Sequence, residues 1–156
     1  MAAEVEINVE RVIAAPPDVL YARVSDVVRM GELSPENVGA TWLRGATGPA
    51  VGARFKGENR NGKKQWSTIA TVTDAEPGRL FAFEVTAGPF KVARWSYRFE
   101  PVEGGCRVTE TWIDRRGRVA HRMASAVSGT ADRAARNRET MTATLERLAG
   151  FSEAAG

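Results

Sequence analysis

The chain reads as an α+β protein in which a curved, seven-stranded antiparallel sheet wraps a long C-terminal helix. Three observations carry this. Strand signals recur in series between positions 38 and 114, with turn residues between the runs. One further strand stands ahead of two short helical segments, and the periodicity turns helical from Arg118 onward. Strands and helices are therefore segregated rather than alternating, which favours an antiparallel sheet over a doubly wound parallel one. Such a sheet is wide enough to leave space between itself and the helix. With 156 residues the chain is most simply one domain, here residues 1–150, with "FSEAAG" (151–156) as a frayed tail.

The elements follow in order. Val5, Ile7, Val9 and Ile13 alternate with Glu4, Glu6, Asn8 and Glu10, a first strand with one wet face. Pro16-Pro17-Asp18 stops it and opens a helix carrying Leu20, Tyr21 and Val24. A second short helix covers Val27, Val28 and Met30 and ends before Pro35, which forbids continuation. Strand signals come next at 38–43 and 51–60, and Asn61-Gly62 supplies a strong hairpin signal. Further strands are expected at 65–73 and 80–85, then in the paired run 93–114. Thr130 caps the final helix, Asp132 suits its first turn, and Gly150 ends it. Ala134, Met141, Leu145 and Leu148 form its apolar stripe, with Arg133, Arg136 and Glu139 off it. Arg118 to Val127 reads as a separate helical arm.

The run "ARWSYRFEPVEGGCRVTETWID" (Ala93 to Asp114) is the most informative. A two-residue turn at Glu103-Gly104 pairs Val102 with Gly105, and so Glu100 with Arg107. The same register sets Phe99 beside Val108, Tyr97 beside Glu110 and Trp95 beside Trp112. If Phe83 faces Trp95, Glu84 faces Arg94 on the wet side, where Glu100 faces Arg107. Two opposite-charge pairs on one face support this alignment. One carboxylate, Glu110, then lies on an aromatic, apolar face.

Composition narrows the function. Hydrophobic content of 43% and charged content of 26% are ordinary for a soluble globular protein. The acidic start "MAAEVEINVE" lacks the layout of a signal peptide, and no apolar run approaches a bilayer span, so a cytoplasmic protein is expected. With Cys106 alone, an intrachain disulfide or cysteine-cluster metal site is impossible, and one histidine, His121, makes no His-rich metal site. No metal and no cofactor is expected. The net charge of +3 is uneven: Arg115 to Arg138 holds seven arginines and one acid, Asp132. That segment is either a solvated helix face or an Arg-lined approach for an anionic ligand or membrane surface. Nucleic acid is disfavoured because no aromatics interleave with these arginines.

The segments "VERVIAAPPDVLYARVSD", "ELSPENVGATWLRGATGPAVGARFKGENRNG", "QWSTIATVTDAEPGRLFAFEV" and "WSYRFEPVEGGCRVTETW", in this order and spacing, resemble the actinobacterial polyketide cyclase/dehydrase group of the START-like, or Bet v 1-like, superfamily (SRPBCC). The similarity covers roughly residues 4–150, and Leu33 departs from the Trp that many relatives carry there. The resemblance implies a helix-grip fold with a cavity between sheet and helix, and binding of hydrophobic molecules such as lipids, sterols, polyketides or isoprenoids. It implies no single activity and supplies no catalytic set.

The candidate site residues therefore come from the residues themselves. Phe83, Trp95, Tyr97 and Trp112 form an aromatic cavity wall or, alternatively, ordinary core. Trp66 joins them, although its strand leaves its face undetermined, as does that of Trp42. Glu110, with Tyr97, is expected to anchor the ligand's polar end, its pKa raised by desolvation. The alternative is a Glu near a strand end that reaches water or an arginine. His121 is a candidate at the cavity mouth, against a surface histidine flanked by Arg118 and Arg122. The expected function is a binding or carrier protein for a hydrophobic small molecule. The competing one is a cyclase or dehydratase with Glu110 as general acid or base.

Overall fold

The computed structural model describes residues 5–117 and 132–155. Strand β1 (Glu6–Ile13) leads through Pro16, as N-cap, into helix α1 (Pro17–Ser25), where Pro17 occupies a first-turn position that tolerates the missing N–H. A 3-10 helix (Val27–Glu32) follows and stops before Pro35. Then come β2 (Asn37–Trp42), β3 (Arg54–Asn61), β4 (Lys64–Glu76), β5 (Leu80–Ala87), β6 (Phe90–Val102) and β7 (Gly105–Asp114). The last element, α2, spans Arg133–Ala155.

The strands form one antiparallel sheet in the order β1-β7-β6-β5-β4-β3-β2. The β6–β7 register is the expected one, with Val102 opposite Gly105, Glu100 opposite Arg107, Tyr97 opposite Glu110 and Trp95 opposite Trp112. In the β5–β6 pair, Phe83 meets Trp95 and Glu84 meets Arg94. Both charge pairs form on the convex face, at 3.9 Å for Arg94–Glu84 and 3.7 Å for Arg107–Glu100. Register shifts between Val72 and Asp74 and between Val85 and Thr86 mark irregularities that bend the central strands.

Three boundaries differ from expectation. The β3–β4 turn uses Gly62 and Lys63, with Asn61 still paired to Lys64, because the ladder holds one residue further than the Asn-Gly signal suggests. α2 is capped by Asp132, whose Oδ1 accepts the Ala135 N–H at 3.0 Å. Nor does Gly150 end α2. The helix runs on to Ala155, where a frayed tail was expected, because Ser152 is buried and Glu153 Oε2 accepts the Ala14 N–H at 3.0 Å. Thr130, His121 and the Arg118–Val127 arm lie outside the described residues.

The concave face divides in two. At one end Leu20, Tyr21, Val24 and Leu33 plug the sheet against Phe81, Phe99, Val108, Leu145 and Leu148. Tyr21 meets Phe81 and Phe99 edge-on, with ring centroids 6.3 and 5.9 Å apart. Leu33, the departure from the family pattern, is fully buried there. α2 packs on β1, β7 and α1 rather than across the middle of the sheet, so the other end stays open.

The β6–β7 turn abuts the end of β1. A Cβ at Gly105 would lie 2.0 Å from the Ile13 carbonyl oxygen, whereas one at Gly104 would meet nothing within 4 Å. Gly105→Ala is therefore expected to cost about 2–4 kcal/mol in urea denaturation, as backbone overlap added to strain. Gly104→Ala, at φ +86°, should cost only the left-handed penalty of about 1–2 kcal/mol. Equal losses would show that the β1 contact is not what Gly105 protects.

Candidate functional site

The open end of the concave face is a cavity of about 470 Å³, within the usual range for small-molecule sites. The strands contribute Phe55, Trp66, Ala70, Phe83, Val85, Trp95, Tyr97, Glu110 and Trp112, and α2 contributes Arg133, Asn137, Thr140 and Thr144. The boundary with the plug falls between neighbouring inward positions of single strands. Phe83, Tyr97 and Glu110 line the cavity, while Phe81, Phe99 and Val108 are solid core. All six expected residues that fall within the described range, Trp66, Phe83, Trp95, Tyr97, Glu110 and Trp112, come together here. Trp42 instead packs edge-on against Phe55, 5.5 Å between ring centroids.

Glu110 and Tyr97 sit opposite each other on β7 and β6, at the border with the plug. Both are buried, and the Tyr97 hydroxyl donates to Glu110 Oε2 at 2.8 Å. Glu110 Oε1 is also buried and has no hydrogen-bond partner among the described residues. Desolvation pushes the Glu110 pKa up to about 8, only partly opposed by the Tyr97 hydrogen bond. Desolvation, together with the neighbouring carboxyl, also holds the Tyr97 phenol well above its ordinary range. At neutral pH Glu110 is therefore mostly protonated, and Oε1 is free to carry a proton that it can donate.

A second polar cluster, missed by the sequence reading, lies where α2 begins. Arg133, expected only to lie off the apolar stripe, is 8% exposed, which goes against a solvated face at this position. Its Nη1 donates to Glu36 Oε1 at 2.5 Å and to Asn137 Oδ1 at 3.3 Å. Its guanidinium lies over the Trp66 ring, 5.7 Å from the centroid. Glu36 is held in place by its carbonyl, which accepts the Arg60 N–H at 2.8 Å. Arg136 Nε lies 3.7 Å from Glu36 Oε2.

The arginine-rich segment is thus largely neutralised where it is described. Arg115 pairs with Glu84 at 3.7 Å, and Arg116 makes a two-pronged contact with Asp114 at 2.8 Å. Arg138 is exposed. No helix among the described residues is long and apolar enough to cross a membrane.

Comparison with known proteins places the chain. The profile of the family described as polyketide cyclase/dehydrase and lipid transport matches residues 4–150. The polyketide-cyclase-like protein Cgl2372 of Corynebacterium glutamicum is 33% identical over 98% of this chain and 88% of its own, with a TM-score of 0.54. The di-domain ARO/CYC protein StfQ of the steffimycin biosynthetic pathway superposes with a TM-score of 0.75 at 12% identity. That match covers 97% of this chain but only 51% of StfQ, about half its length. Major latex-like protein 151 of Panax ginseng gives 0.73 at 11% identity, over 97% of this chain and 99% of its own. No curated protein matches the chain. The seven-stranded sheet gripping α2 is shared with these structures, and on the near full-length profile match the chain belongs to the polyketide cyclase/dehydrase and lipid transport family of START-like proteins.

Proposed function

We propose that the protein binds a hydrophobic small molecule, of lipid, polyketide or isoprenoid character, in the cavity between sheet and α2. Glu110 and Tyr97 orient a carbonyl or hydroxyl of the ligand, and Phe83, Trp95 and Trp112 enclose its apolar body. The observation that carries this is Glu110 Oε1, buried beside a largely apolar hollow with no partner among the described residues. An unmet buried polar atom costs about 1–3 kcal/mol, and a ligand carbonyl accepting its proton would recover part of that. The membership of the family supports the same reading. Membrane contact through Arg115–Arg138 is no part of it, since four of those arginines already face carboxylates of this chain.

One observation favours an enzymatic reading beside it. A carboxyl with a pKa of about 8 exchanges its proton close to neutral pH, which suits a general acid or base in a cyclase or dehydratase. Native mass spectrometry of the purified protein is expected to show a lipophilic species, and dye displacement should give saturable binding; absence of both would end the binding account. Glu110→Gln keeps a donor at the same place. It should bind carbonyl ligands within about threefold of the wild type, whereas Glu110→Ala should lose roughly tenfold. If the protein is an enzyme, Glu110→Gln should abolish turnover while sparing binding, and unchanged turnover would remove Glu110 from the chemistry.

Stability should report the same carboxyl. In the unfolded chain Glu110 ionises near the ordinary glutamate value of 4.5, whereas in the fold it does so at about 8. Between those values the unfolded state has lost a proton that the native state still holds, so stability falls as pH rises. This carboxyl's contribution is greatest below about pH 4.5 and levels off above about pH 8, and its span is on the order of a few kcal/mol. Glu110→Gln should flatten this slope and raise Tm at pH 8 above the wild type. An unchanged slope in thermal unfolding from pH 5 to 8 would mean that Glu110 is not desolvated.

A further inference from the structure

The cluster around Arg133 has more cationic reach than its own partners use. Glu36 divides its carboxylate between two guanidiniums, with Oε1 on Arg133 and Oε2 facing Arg136. Arg136 also reaches Glu139 at 3.8 Å, but that carboxylate is 74% exposed and screened by water. Arg133 Nη2 is buried and has no hydrogen-bond partner among the described residues. Of the two arginines, only Arg133 lines the cavity, and its guanidinium lies over the Trp66 ring. A buried, planar donor edge without an acceptor, on a cluster where two cations share the half-buried Glu36, is suited to a carboxylate or phosphate.

We infer that Arg133 is an anion-binding station of this cavity, and that the ligand is an amphiphile with a carboxylate or phosphate at this end. This rests on the cavity being the binding site and adds the chemical class of what enters it. The geometry allows one molecule to reach both stations. Trp66 is on β4 and Glu110 on β7, three strands apart, which is roughly 14 Å of strand spacing. Along α2, Arg133 to Thr144 spans eleven residues, about 16 Å of helix rise. The ligand's carbonyl or hydroxyl faces Glu110, and its anionic group lies against Arg133 Nη2. The Glu36 carboxylate keeps Arg133 in place in the empty cavity and competes mildly with the incoming anion.

The test is isothermal titration calorimetry at pH 7 with decanoate, decyl phosphate and decanol, which share one chain and differ at the head. The wild type should bind at least one of the two anions about tenfold more tightly than decanol, and the preferred anion identifies the head group. Arg133→Gln should reduce that preference to about twofold or less, with a cooperative thermal transition showing that the variant is folded. Glu36→Gln keeps Arg133 and removes its competitor, so anion affinity should rise about threefold. Should Arg133→Gln not fold, the Glu36→Gln result decides, and no gain in anion affinity overturns the inference. Equal binding of all three ligands by the wild type, or a preference that survives Arg133→Gln, overturns the anion station but leaves the cavity as a binding site. No binding of any of the three overturns both.

Discussion

The hollow depends on what α2 turns toward the sheet. One stripe offers Met141, Leu145 and Leu148, which belong to the buried core. The stripe beside it offers Asn137, Thr140 and Thr144, short side chains that line the cavity without filling it. The threonine hydroxyls are also spent within the helix, Thr140 donating to the Asn137 carbonyl at 3.1 Å and Thr144 to the Thr140 carbonyl at 2.7 Å. Their hydroxyl protons are therefore already engaged. Leucines in their places would extend the plug and leave Glu110 against packed side chains with no room for a partner.

Because that wall is satisfied internally, the unmet polar atoms that remain beside the cavity stand out. They are Glu110 Oε1 at the plug and the Arg133–Glu36 group at the start of α2. Each belongs to a pair that fixes its geometry, Tyr97 for one and Trp66 with Glu36 for the other. Buried polar groups of this kind work against the fold unless something answers them. The charge pairs on the convex face differ, since Arg107 and Glu100 are open to water, Arg94 and Glu84 are half-buried, and both pairs serve mainly to hold the register. One strand pair thus carries alignment on one face and the candidate chemistry on the other.

The alternation of Trp95, Tyr97 and Phe99, a two-residue turn and two charge pairs were sufficient to place Glu110 opposite Tyr97, and the structure has that register. This was legible because antiparallel pairing is local and a slip of one residue reverses every side chain. Trp66 was not, because both faces of its strand mix polar and apolar residues, and only pairing with Asn59 on β3 settles its position. Arg133 was legible only as lying off the apolar stripe, because an arginine there fits a solvated face as well as a ligand approach. Its partner Glu36 is 97 residues away in sequence, a separation that no local pattern encodes. A signal did exist: Arg133, Asn137, Thr140 and Thr144 recur at helical spacing, forming a polar and small stripe beside the apolar one. His121 belongs to the part of the chain outside the described residues, so the geometry bears on neither of its readings.

Trp66, Trp95 and Trp112 are three of the chain's four tryptophans, and all three border the hollow, with Trp95 and Trp112 only 6.4 Å apart between ring centres. Indole emission shifts with the polarity of its surroundings. The protein therefore carries an unlabelled optical gauge of its own interior, in which water giving way to hydrocarbon would register as a change in colour and brightness.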